Sequence, residues 1–170
     1  MRVIVRPYLP TDFGPVNDLW RRARVAAFPE FQARKGHTAE EDRDYFGNVI
    51  SVKNHVFVAE KAGRVVGFLA TVDDFIDQLY VDPANQRQGI GTSLIAYAKT
   101  LSPSGLHLFT FEVNVHGRSF YEKQGFKVIR VGVSPPPESE PAIVRACFMA
   151  LQSTTARFAV VHAACYIEAS

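Results

Sequence analysis

The sequence predicts one mixed α/β domain, a single sheet with helices packed on it. Two observations carry that expectation. Of the 170 residues 47% are apolar, enough for one well-formed core in a chain too short for two ordinary domains. β-rich runs also lie on both sides of a central helical stretch, and there are no internal repeats.

Val3 and Val5 begin a first strand, closed by Pro7 and Pro10. Val16, Leu19, Trp20 and Ala23 then recur at helical spacing, with Thr11 or Asp12 as cap. Arg21, Arg22 and Arg24 read as the outer face of that helix. From Phe28 to Gly36 the pattern fails, which predicts a loop or broken helix. Thr38 with Glu41 forms a capping box that opens a helix to about Phe46. His55–Glu60 and Val65–Thr71 form a hairpin across Lys61-Ala62-Gly63-Arg64, with Gly63 at positive φ. Phe75–Val81 is a further strand, Thr92–Leu101 a helix and Leu106–Val113 a strand with Leu106, Leu108, Thr110 and Glu112 on one face. Arg118–Gln124 is a short helix ended by Gly125, and Phe126–Val133 the next strand. Ser134–Pro141 holds four prolines and reads as an irregular connection.

The composition excludes several classes. A formal net charge of +2 with scattered basic residues gives no nucleic-acid surface. The start lacks the apolar run of a signal peptide, and no stretch reaches the roughly 18 apolar residues of a membrane span. Cys147 and Cys165 form no disulfide framework, so free thiols in a cytoplasmic protein are expected. The five histidines lie in separate elements without paired spacing, so no metal is assigned.

The most informative stretch is Gln86-Arg87-Gln88-Gly89-Ile90-Gly91-Thr92, between a strand and a helix. Glycines at 89 and 91 let main-chain N–H groups approach a ligand, and the helix dipole points at the same spot. The Thr92 hydroxyl adds a donor and Arg87 a charge. Such a corner binds phosphate. A dinucleotide fingerprint would need glycine where Leu94 stands, and a P-loop would need lysine before Thr92.

The run Leu79-Tyr80-Val81-Asp82-Pro83 with Gln86-x-x-Gly89-x-Gly91 resembles the acetyl-CoA signature of the GNAT acetyltransferases. A second block, Asn114 to Phe126, is similar to that family's later motif, with Gly117 where alanine is usual. The resemblance covers about residues 2 to 133. It implies a central, mostly antiparallel sheet of six to seven strands flanked by about four helices, with a GNAT domain over 1–151. It also implies acetyl-CoA as cosubstrate: main-chain groups of Leu79 and Val81 along the pantetheine, an N–H near Leu79 or Tyr80 facing the thioester carbonyl, the 86–92 loop on the pyrophosphate, Asn114 on the pantetheine and Phe120 packing on the cofactor side. Tyr121 is the family's usual acid for the departing thiolate; without the surrounding motif, Phe120 and Tyr121 read instead as core aromatics on a short helix. The implied activity is acetyl transfer to a primary amine of a small molecule or peptide, the alternative being a non-catalytic acyl-CoA-binding module.

Asp77 is the first candidate for the base, because an acid within an apolar strand needs a reason. A salt bridge or an edge position is the other explanation. Asp73 and Asp74 precede it, Gln78 is a candidate for the acceptor pocket, and Glu112 is a second-choice base. Phe28, Phe31, His37 and Tyr45 are candidates for an aromatic acceptor wall, though helix packing uses such residues more often. Ala142–Leu151 forms a closing strand. Residues 152–170 are an apolar extension expected to pack on the domain or on a second copy, giving a homodimer.

Overall fold

The structure, a computed structural model, describes residues 2–132 and 143–149. The proline-rich connection and the extension at 152–170, with its part in a homodimer, lie outside the described residues. The chain divides into two compact units, Met1–Leu101 and Ser102–Ser170.

The first unit runs β1 (Val3–Pro7), α1 (Phe13–Ala27), α2 (Pro29–Lys35) and α3 (Ala39–Tyr45). One π turn (Phe46–Ile50) leads into a short α4 (Ser51–Lys53), followed by β2 (His55–Lys61), β3 (Arg64–Val72), β4 (Phe75–Val81) and α5 (Ile90–Leu101). The four strands are antiparallel in the order β1-β2-β3-β4. Both hairpins turn on two residues with positive φ where the twist requires it: 52° and 72° at Ala62 and Gly63, and 50° at Asp73.

The sheet buries both faces. On one, Val56, Val58, Phe68 and Ala70 pack against Val16, Leu19, Trp20 and Ala23 of α1 and against Phe46 and Ile50 of the π turn. Phe46 is the hub: its ring lies 5.7 Å from Phe68, 5.9 Å from Trp20 and 6.1 Å from Phe13. The pleat turns Gly67 to the other face, where Ile90, Leu94, Ile95 and Ala98 of α5 are buried. A Cβ at Gly67 would lie 3.0 Å from the Tyr80 carbonyl oxygen, 3.1 Å from Ile90 Cγ2 and 3.3 Å from Leu94 Cδ1. Helix α5 therefore sits as close to β3 as a missing side chain permits.

Two local expectations are corrected. Asp12 does not cap α1 with its side chain. It is buried, receives two hydrogen bonds from Arg6 (2.7 and 2.9 Å) and one from the Leu9 amide (2.8 Å), so the ion pair outcompetes the cap. Arg24 is not on an outer face: it is 4% exposed, stacks 4.3 Å over Trp20 and pairs with Asp42 at 2.8 Å. Of the two readings for 28–36 the broken helix holds: the chain breaks at Phe28 and resumes as α2, with Pro29 in its first turn and Gly36 at φ 67° ending it. The Thr38–Glu41 capping box forms as expected.

The second unit holds β5 (Gly105–Phe111), α6 (Val115–Lys123), β6 (Lys127–Gly132) and β7 (Ile143–Met149). The closing strand β7 pairs antiparallel with both β5 and β6 and so lies between them. Leu106 and Leu108 are buried, while Glu112 falls beyond the end of β5 in an exposed turn. The expected shared face therefore stops at Thr110. The described residues hold seven strands, within the implied six to seven, and six α-helices against the implied four or so, because the stretch from 29 to 53 holds three short ones.

Two outcomes follow from this packing. Gly67→Ala forces Ile90 and Leu94 outward against a fixed carbonyl and lowers stability by about 1–3 kcal/mol, read from urea denaturation midpoints. The Arg6 guanidinium holds the Asp12 carboxyl below the usual carboxylate range. Its stabilisation is thus complete above the unfolded value, near 4, and fades as the pH falls through the lower folded value. The stability gap between the wild-type protein and Asp12→Asn should accordingly shrink as urea titrations move from pH 6 to pH 3.

Candidate active site

In the first unit, β4 ends at Val81 and hands the chain to Asp82, whose carboxylate accepts from Ala84 N at 3.0 Å and pairs with Arg22 at 2.5 Å. These contacts fix the exit of the strand. The loop then alternates: Arg87 has φ 60° and Gly89 has φ 79°. The left-handed residues at 87 and 89, with Gln88 between them, give the loop its turns at the head of α5. The first intrahelical bond of α5 runs from Ser93 N to Gly89 O at 2.9 Å, so the amides of Gly89, Ile90 and Gly91 precede the helical ladder. Arg87, Gln88, Gly89 and Thr92 are exposed, and a Cβ at Gly89 would meet nothing within 4 Å. Ile90 is buried, so its side chain anchors the helix and only its amide faces the loop. Gln86 donates to Val81 O at 3.4 Å, and Lys61 donates to Gln88 Oε1 at 2.6 Å, bringing a cation to the loop that sequence reasoning missed.

On β4, Tyr80 stacks on Phe68 at 6.0 Å and belongs to the core, while Leu79 and Val81 pair in register with Leu69 and Gly67. The register shifts one step earlier. Ala70 pairs with Gln78 but Thr71 pairs with Ile76, so Asp77 is the extra residue of a β-bulge. Bulges re-aim side chains and occur beside active sites, a signal invisible in the strand's sequence. Burial pushes the Asp77 carboxyl above the usual carboxylate range, while hydrogen bonds from Gln78 and Asn54 act the other way. The Gln78 contact is long, 3.5 Å. Asp73 and Asp74 are exposed turn residues.

In the second unit, Asn114 is the N-cap of α6: Oδ1 accepts from Gly117 N at 3.0 Å, and Nδ2 donates to Thr110 at 3.0 Å. A Cβ at 117 would fall 2.7 Å from Asn114 Cγ. Gly117 therefore does more than loosen the helix start, as the sequence suggests; it makes room for the cap. Phe120 and Phe126 flank Tyr121 edge-on, at 5.2 and 5.7 Å. Gly125 at φ 87° ends the helix and seats Phe126. Burial of Tyr121 pushes its phenol up to about 12, with no charged or hydrogen-bonding group contributing among the described residues.

The first unit thus carries left-handed turns at the head of a helix and a bulged acid, and the second a tyrosine between two aromatic rings. Residues 52–128 match the family model described as an acetyltransferase (GNAT) domain. Over 63 residues the chain is 43% identical to the peptidyl-lysine N-acetyltransferase YjaB of Salmonella typhimurium, covering 37% of this chain and 43% of that protein. The aligned stretch thus spans less than half of that relative. The fold is similar to the apo-form solution structure of YjaB from Escherichia coli, with a TM-score of 0.68 at 22% identity over 87% of this chain and 98% of that one. It is also similar to the PaiA N-acetyltransferase of Thermoplasma acidophilum in complex with coenzyme A, with a TM-score of 0.64 at 18% identity over 88% and 100%. The likeness to a GNAT acetyltransferase domain thus lies in residues 52–128, a little under half of the chain.

The phenol hydroxyl contributes little to folding, because no hydrogen bond is among the causes of its shift. Tyr121→Phe should change the unfolding free energy by less than about 1 kcal/mol in urea titrations.

Proposed function

We propose that this protein transfers an acetyl group from acetyl-CoA to a primary amine of a small molecule or peptide. The observation that carries this reading is the alternating left-handed backbone at Arg87 and Gly89 at the head of α5. A relative acts on peptidyl-lysine and a fold neighbour was solved with coenzyme A, and both agree with it. Gln86 to Thr92 hold the pyrophosphate, chiefly through main-chain amides, with Lys61 and Arg87 adding charge. Main-chain groups of Leu79 and Val81 run along the pantetheine, and an amide at Leu79 or Tyr80 faces the thioester oxygen. Phe120 packs on the cofactor side. Asn114 spends one amide proton and its oxygen on the fold, which leaves the second amide proton for the pantetheine.

In the reaction the amine nitrogen attacks the thioester carbon and the carbonyl electron pair moves to oxygen. The nitrogen, made acidic by the new bond, loses its proton to Asp77 directly or through water. Collapse of the tetrahedral species breaks the C–S bond, and the sulfur takes a proton. Asp77 suits the base role because its raised value brings it closer to neutrality. Tyr121 needs a refinement. A phenol near 12 gives its proton to a thiolate whose acid form is near 8.5 only at a cost on the order of 5 kcal/mol. It therefore acts as a hydrogen-bond donor to the leaving sulfur, passing its proton on as a solvent water, resupplied by the proton that Asp77 releases to solvent, reprotonates the phenol oxygen.

Gly89→Val places a branched side chain at positive φ and should weaken CoA binding at least about tenfold in isothermal titration calorimetry. Tyr121→Phe should keep CoA affinity and lower kcat about 100-fold or more with a lysine peptide or a polyamine, followed by thiol release. Unchanged binding in the first variant would overturn the phosphate site. CoA binding without thiol release across an amine library would leave a binding module instead of an enzyme.

A further inference from the structure

Three arginines stand on α1, and the fold uses them differently. Arg21 and Arg24 pair with Asp42 of α3. Arg22 reaches instead to Asp82, just beyond the last residue of β4, and donates to its Oδ2 at 2.5 Å.

Four bonds converge on Asp82. Its main-chain N–H donates to Val66 O at 3.0 Å, which carries the pairing of β3 and β4 one step past Val81. Its carbonyl oxygen accepts from Asn85 N at 2.8 Å, and Oδ1 accepts from Ala84 N at 3.0 Å, capping the turn Pro83–Asn85. Arg22 takes the other carboxylate oxygen. Gln86 alone separates that turn from Arg87, where φ is 60°. The loop therefore departs from a turn whose cap is held from α1. The Asp82 side chain is 14% exposed. A carboxylate so enclosed is poorly hydrated and keeps its place only with a cation beside it. Without Arg22 it would rotate toward water, and the Ala84 amide would lose its acceptor. Helix α1 packs on β3, β4 and the 83–85 turn, so it gives the arginine a rigid support.

We infer that Arg22 is a positioning residue for the coenzyme A phosphate loop, acting through Asp82 to hold the turn from which residues 86–92 depart. The inference rests on the reading of that loop as the pyrophosphate site. Arg22 does this work without touching the cofactor.

The test uses the full chain with Arg22→Met, which keeps a long helix-forming side chain but removes its charge. Its companion is Asp82→Asn, which leaves an acceptor for Ala84 and sets a donor against Arg22. Ion pairs of this exposure have modest effects, so CoA binding in isothermal titration calorimetry should weaken about three- to fivefold in either variant. The double variant should bind no more weakly than Asp82→Asn alone, because both changes break one interaction. Arg22→Lys should recover part of the loss. With a lysine peptide as acceptor, KM for acetyl-CoA should rise by the same factor in Arg22→Met while kcat stays within about twofold. Amide exchange followed by NMR reads the turn with no cofactor present. Ala84 should exchange about threefold faster in Arg22→Met, with the central amides of α5 unchanged. CoA affinity and Ala84 exchange both unchanged in Arg22→Met would overturn the inference. Losses that multiply in the double variant would overturn it too, since Arg22 would then meet the cofactor itself. If the wild-type chain binds no CoA, the loop reading fails, and Ala84 exchange still decides whether Arg22 holds the turn.

Discussion

The absence of one side chain, at Gly67, sets the position of everything that could hold a ligand in the first unit. With no Cβ between them, β3 and α5 approach until Ile90 and Leu94 touch the strand, and the Tyr80 carbonyl closes the remaining gap. The amino end of the helix is therefore pinned against the end of β4. A loop joining two pinned ends has little choice of path, and left-handed turns at Arg87 and Gly89 are how it closes. A non-glycine residue at φ 60° is unfavourable by roughly 1–2 kcal/mol. The two fixed ends of the loop, rather than packing around the exposed Arg87, hold that strain.

Much of this was legible in the chain because it is local. The glycine-rich run between strand and helix, the Thr38 capping box, Gly63 and Gly125 at their turns, and the Asn114-to-Phe126 block depend on residues a few positions apart. The misreadings share another cause. Arg24 was expected outside because periodicity says which face of a helix it shares, not that Asp42 and Trp20 will enclose it. Asp12 resembles a cap until Arg6, on another element, claims it. The bulge at Asp77 is a register event between two strands, which neither strand's pattern reveals. The weak periodicity of 28–36 hid a seven-residue helix because none of its residues is buried.

The two ionisable groups assigned to proton transfer are tuned by the same force with opposite consequences. Burial raises both Asp77 and Tyr121. In the proposed mechanism that makes the carboxyl a better base and the phenol a weaker acid.

Asn114 and Gly117 occupy the same space, and this ties their fates in any lineage descended from this chain. Alanine at 117 gains up to about 1 kcal/mol of helix propensity but displaces a cap of similar size, so taken alone the exchange is close to neutral. Once the asparagine has been driven off the amide, its side chain is released for other duties and glycine loses its advantage. The first substitution thus opens a path that the second closes behind it, and the order of arrival decides which form of the helix start survives.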